Sequence, residues 1–355
     1  MPACPRSEIV HDGQVEVYHA YTRCVRGSFL CGVDRLTGID YSHRRRWIHE
    51  FEKRLASLYG LEIGFHAEMS NHLHLILRSR PDVVESWSEE EVVRRALTIY
   101  RLVKSKDGAT IRDVNQNEIS IELADPRRVA CLRKRLSSVS CFMQSLCEHI
   151  ARRANREDAC HGAFFEERFK AKLLADDSSV LVCGIYIDLN QIRAGEAITP
   201  EQSSHTSAFD RIQGQKERTE GTASSSSGHV PADGWMCELT LQEGPDVDLR
   251  ELSRTVSPLR ASEKGLLSVR LDEYLNLLDW TGRTVRTGSQ GAIPPHLAPI
   301  LQRLGIRETC WTDLVTNFDQ LFSHVVGRVG HVAARAAQAG RRWYQGQAQC
   351  AEAFG

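Results

Sequence analysis

Ser70-Asn71-His72-Leu73-His74-Leu75-Ile76-Leu77 reads as a polar turn that runs into a strand. Side chains alternate between the two faces of a strand, so His72 and His74 share a face, with Cα atoms two residue rises, ~6.7 Å, apart. Leu73, Leu75 and Leu77 point the other way, into a core. One face is therefore chemical and the other structural. Two imidazoles at that separation can converge on one divalent ion. The same pattern also fits two half-exposed strand histidines with ordinary hydrogen-bond partners. Donor type alone does not choose the metal, because imidazole suits Zn²⁺ and other transition ions.

Working outward from this strand, residues 61–67 form a second strand before the turn at Met69-Ser70-Asn71, giving a hairpin. Upstream, residues 15–25 (VEVYHAYTRCV) are β-branched and aromatic. Between them, Trp47, Ile48, Phe51, Leu55 and Leu58 recur at helical spacing, with Gly60 as the stop. The order strand, helix, strand, strand opens a ferredoxin-like βαββαβ unit, an order other α+β folds share. Residues 81–125 read as an insertion: a helix over 92–103, then a small hairpin around 110–114 and 119–123, where Ile119, Ile121 and Leu123 alternate.

A long helix follows, capped by Asp125 with Pro126 in its first turn. Its apolar face is continuous through Val129, Leu132, Leu136, Val139, Met143, Leu146 and Ile150. Arg127, Arg128, Arg133, Lys134, Arg135, Arg152, Arg153 and Arg156 cover the other side, as a solvated helix face or as a phosphate-facing surface. Residues 164–174 (FFEERFKAKLL) read as a further strand, and residues 180–193 as a helix carrying Tyr186. Residues 203–236, rich in Ser and Gly at 221–228, read as a flexible linker. Residues 237–355 form a mainly helical extension, with helices at 271–280 and 311–326 and loops at Pro294-Pro295 and Gly305.

Composition bounds the rest. The chain has 355 residues, a formal net charge of −1, 41% hydrophobic and 26% charged residues, the profile of a globular protein. Any basic surface must come from local clustering. The 11 cysteines show neither Cys-x-x-Cys nor zinc-finger spacing, and the start has no apolar signal region, so the expected setting is cytoplasmic with reduced thiols. No apolar run approaches the ~20 residues of a membrane span.

Tyr186-Ile-Asp188-Leu-Asn190 places Tyr186 and Asn190 at i and i+4 on one helix face. Alone, such a tyrosine fits a core or edge position as well. Joined to a His-x-His strand, it suggests a nucleophile and an extra metal ligand supplied by one helix.

Three blocks in this order, SNHLHLIL (70–77), FFEERFKAKLL (164–174) and YIDLNQIRAG (186–195), resemble the single-tyrosine HUH transposases, in particular the branch of REP-associated tyrosine transposases. The resemblance covers residues 15–212, with 81–125 as an embellishment. It implies a catalytic domain at 1–202 with an HUH palm, a ferredoxin-like antiparallel sheet with helices. LDWTGR (278–283) and LAPILQRLGI (297–306) are similar to the C-terminal extension of long members. Gln191 stands where Asn-Pro is common in the family, a departure that bears on the helix end.

The resemblance also implies roles. His72 and His74 match the metal-binding pair, Tyr186 the nucleophile, and Asn190 a polar position that completes the metal site; Asp188 falls on another face. The implied cofactor is a divalent ion, Mg²⁺ or Mn²⁺. The implied reaction is cleavage and rejoining of single-stranded DNA, with hairpin or palindromic ends, through a covalent 5′-phosphotyrosine. A homodimer with the tyrosine helix packed in cis or in trans is compatible with it. Arg168, Lys170 and Lys172, alternating along one strand, and Arg193 at the end of the tyrosine helix are the candidate phosphate contacts. Phe164, Phe165 and Phe169 fit base stacking or core packing, and Arg341-Arg-Trp-Tyr344 is a basic-aromatic cluster. Three other readings stand beside this one: a non-catalytic nucleic-acid-binding protein derived from such an enzyme; a rolling-circle nickase or relaxase, which shares the metal pair but fits the FKAKLL and LNQIRAG blocks less well; and a hydrolase whose metal-bound water attacks without need of Tyr186.

Overall fold

The computed structural model describes residues 8–25, 31–34, 37–220, 230–241, 259–262, 264–287, 301–302 and 304–354. Its frame is a mixed sheet of β1 (Val17–Arg23), β2 (Leu61–Glu68), β3 (His72–Ser79), β4 (Lys170–Leu174) and β5 (Val325–Val326), in the order β2-β3-β1-β4-β5. All neighbours are antiparallel except β4 and β5, which run parallel. In register, His74 faces Tyr21, His72 faces Arg23, Tyr21 faces Lys170, and His19 faces Lys172. Cross-strand partners project to the same side, so these residues share one face of the sheet.

The leucines of the His-x-His strand fill the other face as the alternation requires: Leu73, Leu75 and Leu77 are all fully buried. α1 (His43–Ala56) lies between β1 and β2 in sequence and buries Ile48, Phe51 and Leu55. α2 (Pro81–Glu85) and α3 (Glu89–Lys104) follow β3. The expected hairpin at 110–123 is instead a coil and a helix, α4 (Gln116–Leu123). Asn115 and Glu118 form a reciprocal capping box, which satisfies two orphan amides and starts a helix regardless of the alternation that follows. Only Ile119 of the alternating set is buried, while Ile121 is exposed.

The long basic helix is two: α5 (Pro126–Leu136) and α6 (Val139–Glu157). Ser138 caps the second, and a serine pair that competes for backbone hydrogen bonds is where a helix breaks. The apolar stripe continues across the break. Much of its basic surface is used inside the protein. Arg133 donates to Val84 O and Trp87 O, Arg153 to Asp107 O, and Arg156 to Lys106 O.

β4 is shorter than the expected strand over 164–174, because Phe164 and Phe169 turn into the core before it begins. α7 (Asp177–Asp188) carries Tyr186 and is followed by a separate turn, α8 (Asn190–Arg193). Gly184 lets α7 lie against β2: a Cβ there would sit 2.7 Å from the Phe65 ring. The expected linker over 203–236 is corrected in part. α9 (Ser207–Thr219) is a capped helix on β2, with Arg211 donating to Gly64 O and Trp235 Nε1 donating to Asp210. The Ser/Gly segment at 221–228 lies outside the described residues, as do Pro294 and Pro295.

The C-terminal part is mainly helical: α10 (Leu271–Thr287), α11 (Trp311–Thr316), α12 (Phe318–Leu321), α13 (Val329–Gln338) and α14 (Gln347–Phe354). The helix expected over 311–326 is α11 and α12 followed by β5, and β5 joins the sheet beside β4. The extension is thus built into the same sheet that carries the histidines. Tyr274 donates its hydroxyl to Asp188 at 2.5 Å, and Ser178 donates to Leu304 O. Among the described residues no helix is long and apolar enough to cross a membrane.

Candidate active site

β3, β1, β4 and α7 meet over one cavity of about 230 Å³, lined by His72, His74, Tyr21, Arg23, Arg168, Lys170, Tyr186 and Asp319 among others. His72 Nδ1 is 2.6 Å from Asn71 Oδ1, and His74 Nδ1 is 2.8 Å from His19 Nε2. Each of the paired histidines therefore has its Nδ1 engaged and its Nε2 left over. The two rings are perpendicular, with centroids 4.8 Å apart. Burial holds both neutral: desolvation, then Arg23, lowers His72 to about 4, and desolvation, then His72 and His19, lowers His74 well below its usual value. Neutral imidazole is the form that binds a metal.

Tyr186 comes in over this pair from α7. Its ring is edge-on to His74 at 5.8 Å, and its hydroxyl donates to Asp319 Oδ2 at 2.5 Å. α7 holds that position through its start as well as its packing. Asp176 caps it in a reciprocal box with Ser179 and also accepts from the Arg328 amide at 2.6 Å. Burial, then the Asp319 carboxylate, pushes the Tyr186 phenol further above its ordinary value near 10. A phenol in that state needs activation before it can attack.

Asp319 escaped the sequence reading. It sits on α12, 133 residues beyond Tyr186. Its other oxygen pairs with Lys172 Nζ at 2.5 Å. Desolvation raises its carboxyl, but His19 and Lys172 outweigh this and hold it well below the usual range. The sequence signal was its place beside Phe318, which packs against Tyr186 and His19. His19 and Tyr21 were also missed, although their alternation on β1 matches that of His72 and His74 on β3.

Other expected site residues fall in different places. Lys172 is 1% exposed on the cavity face of β4 and cannot be a surface contact to phosphate; the β4 alternation that suggested a basic edge carries it under Asp319. Lys170 and Arg168 are exposed at the cavity mouth, with Lys170 paired to Glu167 at 2.7 Å. Arg193 is exposed, stacks over the Tyr186 ring at 4.9 Å and donates to Thr316 O. Asn190 does not line the cavity. The helix breaks at Leu189, so Asn190 starts a new turn, buried with its Nδ2 unpaired. Asp188 is also away from the cavity, buried beneath Ser207 and Tyr274. The Arg341–Tyr344 cluster lies apart, around a shallow depression with Ser323 and His324.

No family model and no curated protein matches the chain. A solved structure described as the REP-associated tyrosine transposase bound to a REP hairpin is similar over 70% of this chain and 94% of its own, at 10% identity and a TM-score of 0.33. At that level the likeness carries no weight for function, which rests on the residues of the site.

Proposed function

We propose that the protein is a metal-dependent tyrosine transposase that cleaves and rejoins single-stranded DNA. The observation that carries this reading is the convergence of Tyr186 on His72 and His74 in one cavity. The strand order, with β1 between β3 and β4, supports reading the palm as ferredoxin-like.

The donor set fits a divalent ion. His72 and His74 line one cavity with Tyr186, each with its Nδ1 engaged, and burial holds both neutral. His72 and His74 would hold such an ion, Mg²⁺ or Mn²⁺, which would supply Lewis acidity to the scissile phosphate. The remaining work falls to the chain. Tyr186 Oη attacks phosphorus, and its proton passes to Asp319 Oδ2 as the O–P bond forms. The bond from phosphorus to the 3′ oxygen breaks, and that oxygen leaves as a hydroxyl after taking a proton from water. The 5′ phosphate stays on Tyr186. A second 3′-hydroxyl can reverse the sequence and join strands without an external energy source. Lys172 fixes the carboxylate, and the exposed Arg168 and Lys170 on the cavity, with Arg193 over the Tyr186 ring, would meet the DNA backbone.

The test is covalent capture of labelled single-stranded hairpin DNA with Mg²⁺ or Mn²⁺ on a denaturing gel. An adduct that is lost with Tyr186→Phe and with His72→Ala is expected. Cleavage that survives Tyr186→Phe would instead indicate attack by metal-bound water. DNA binding without any adduct would indicate a non-catalytic binder.

A further inference from the structure

On the opposite face of the same sheet, α1 and β2 assemble a second cluster. His66 and Glu68 pair in register with Leu75 and Leu73, so they face away from His72 and His74. His49 and Glu52 lie at i and i+3 on α1 and meet them from above. One ligand atom from each of these four buried residues lies within 4.8 Å of the others.

Glu52 is the residue that needs explaining. It is fully buried, and neither carboxylate oxygen has a hydrogen-bond partner. Another buried carboxylate, Glu68, stands within 4.8 Å, and burial followed by that neighbour pushes Glu52 far above the usual carboxylate range. Two carboxylates facing each other in a dry interior require a proton or a cation between them.

The histidines are oriented for the cation. His49 Nε2 is 3.3 Å and His66 Nε2 is 3.6 Å from Asp210 Oδ2. Asp210 is itself held by Trp235 Nε1 at 3.1 Å. That leaves both Nδ1 atoms toward Glu68, His66 at 3.2 Å and His49 at 3.6 Å. One carboxylate oxygen thus stands behind both imidazoles, within hydrogen-bond length of His49 only, and a carboxylate behind an imidazole is what orients the ring in metal sites.

We propose that His49, Glu52, His66 and Glu68 hold one divalent transition-metal ion, Zn²⁺ by its donor set, which fastens α1 to the edge strand β2. Two imidazole nitrogens and two carboxylate oxygens form a tetrahedral Zn²⁺ set, and the two carboxylates neutralise the ion's charge. Ligand atoms around Zn²⁺ at ~2.0–2.2 Å stand ~3.3–3.6 Å apart, so the two Glu68 distances already fit and the widest pair closes by about an ångström. The site is separate from the candidate active site and does not depend on its chemistry. Without the ion, protons fill the cluster: burial pulls His66 down, but Glu68 and Asp210 more than offset it and raise His66 to about 9.

The experiment uses the full-length, untagged His72→Ala/His74→Ala protein, which removes the active-site pair. Metal content is measured by mass spectrometry after dialysis, and Co²⁺ is titrated with visible absorption as the readout. Expected are one retained equivalent of Zn²⁺ per chain, Co²⁺ ligand-field bands, and a melting temperature lowered by a chelator. Glu52→Gln in that background abolishes the equivalent, and Asp210→Asn weakens binding about 10–100-fold. A folded His72→Ala/His74→Ala protein that takes up neither Zn²⁺ nor Co²⁺ at micromolar concentration overturns the proposal and leaves the cluster to protons. Because that protein carries the intact cluster, its metal uptake decides the matter even if Glu52→Gln fails to fold.

Discussion

Asp319 Oδ2 accepts the Tyr186 hydroxyl at 2.5 Å while Lys172 occupies its other oxygen. A carboxylate in that position is placed to take the phenolic proton. Asp319→Asn keeps the shape and removes the base, so adduct formation should slow by about 100-fold in single-turnover assays. DNA affinity should stay within twofold. An unchanged rate would remove Asp319 from the chemistry.

The Lys172–Asp319 pair is unequal. The Lys172 side chain is 1% exposed and that of Asp319 is 35% exposed. Asp319→Ala leaves a buried ammonium without its partner, whereas Lys172→Met leaves a carboxylate that water can reach. Thermal unfolding should therefore show the larger loss for Asp319→Ala, toward the ~3–5 kcal/mol of a broken buried pair. Equal losses in the two variants would contradict this account.

Acid should weaken the metal-free protein through His72. Burial and Arg23 put its folded value at about 4, against about 6.5 unfolded. Below pH 6.5 the unfolded chain binds the extra proton, so this contribution is whole above pH 6.5 and is lost as pH falls toward 4. One such group gives a slope of up to about 1.4 kcal/mol per pH unit. His72→Gln, compared with wild type by denaturant unfolding at pH 7 and pH 5, should lose less stability on acidification. The reverse order would show that His72 is protonated in the folded state.

Asp176 serves two parts of the chain, capping α7 and accepting the Arg328 amide. Asp176→Ala should cost about 1–2 kcal/mol for the cap alone. It should also raise hydrogen exchange at Arg328 and at Val325–Val326, and Asp176→Asn should recover most of the cap. Exchange confined to α7 would mean that the two roles are uncoupled.

Much of the sheet and its first helix was legible because their signals are local. Alternation at His72–Leu77 and helical spacing at Trp47–Leu58 depend on a few neighbouring residues. Capping chemistry was overlooked where it opposed the period, as at Asn115 and Glu118, and a serine pair divided one apolar stripe into α5 and α6. Lys172 shows the limit of counting charges along a strand. Alternation gives its face, but only the sheet order shows that this face is covered by α12. Asp319, His19 and the cluster around Glu52 were out of reach for a related reason: each joins elements far apart in the chain, and no local period connects them.

β5 and α12 lie far beyond Tyr186 in the chain, yet one joins the sheet beside β4 and the other supplies Asp319. On a ribosome, Tyr186 and both histidines emerge long before their carboxylate partner. If Tyr186 is the nucleophile we propose, a chain ended before α12 would carry it without its carboxylate partner. Under the proposed function, synthesis order would act as a safety interlock: the centre is complete only once α12 has been made.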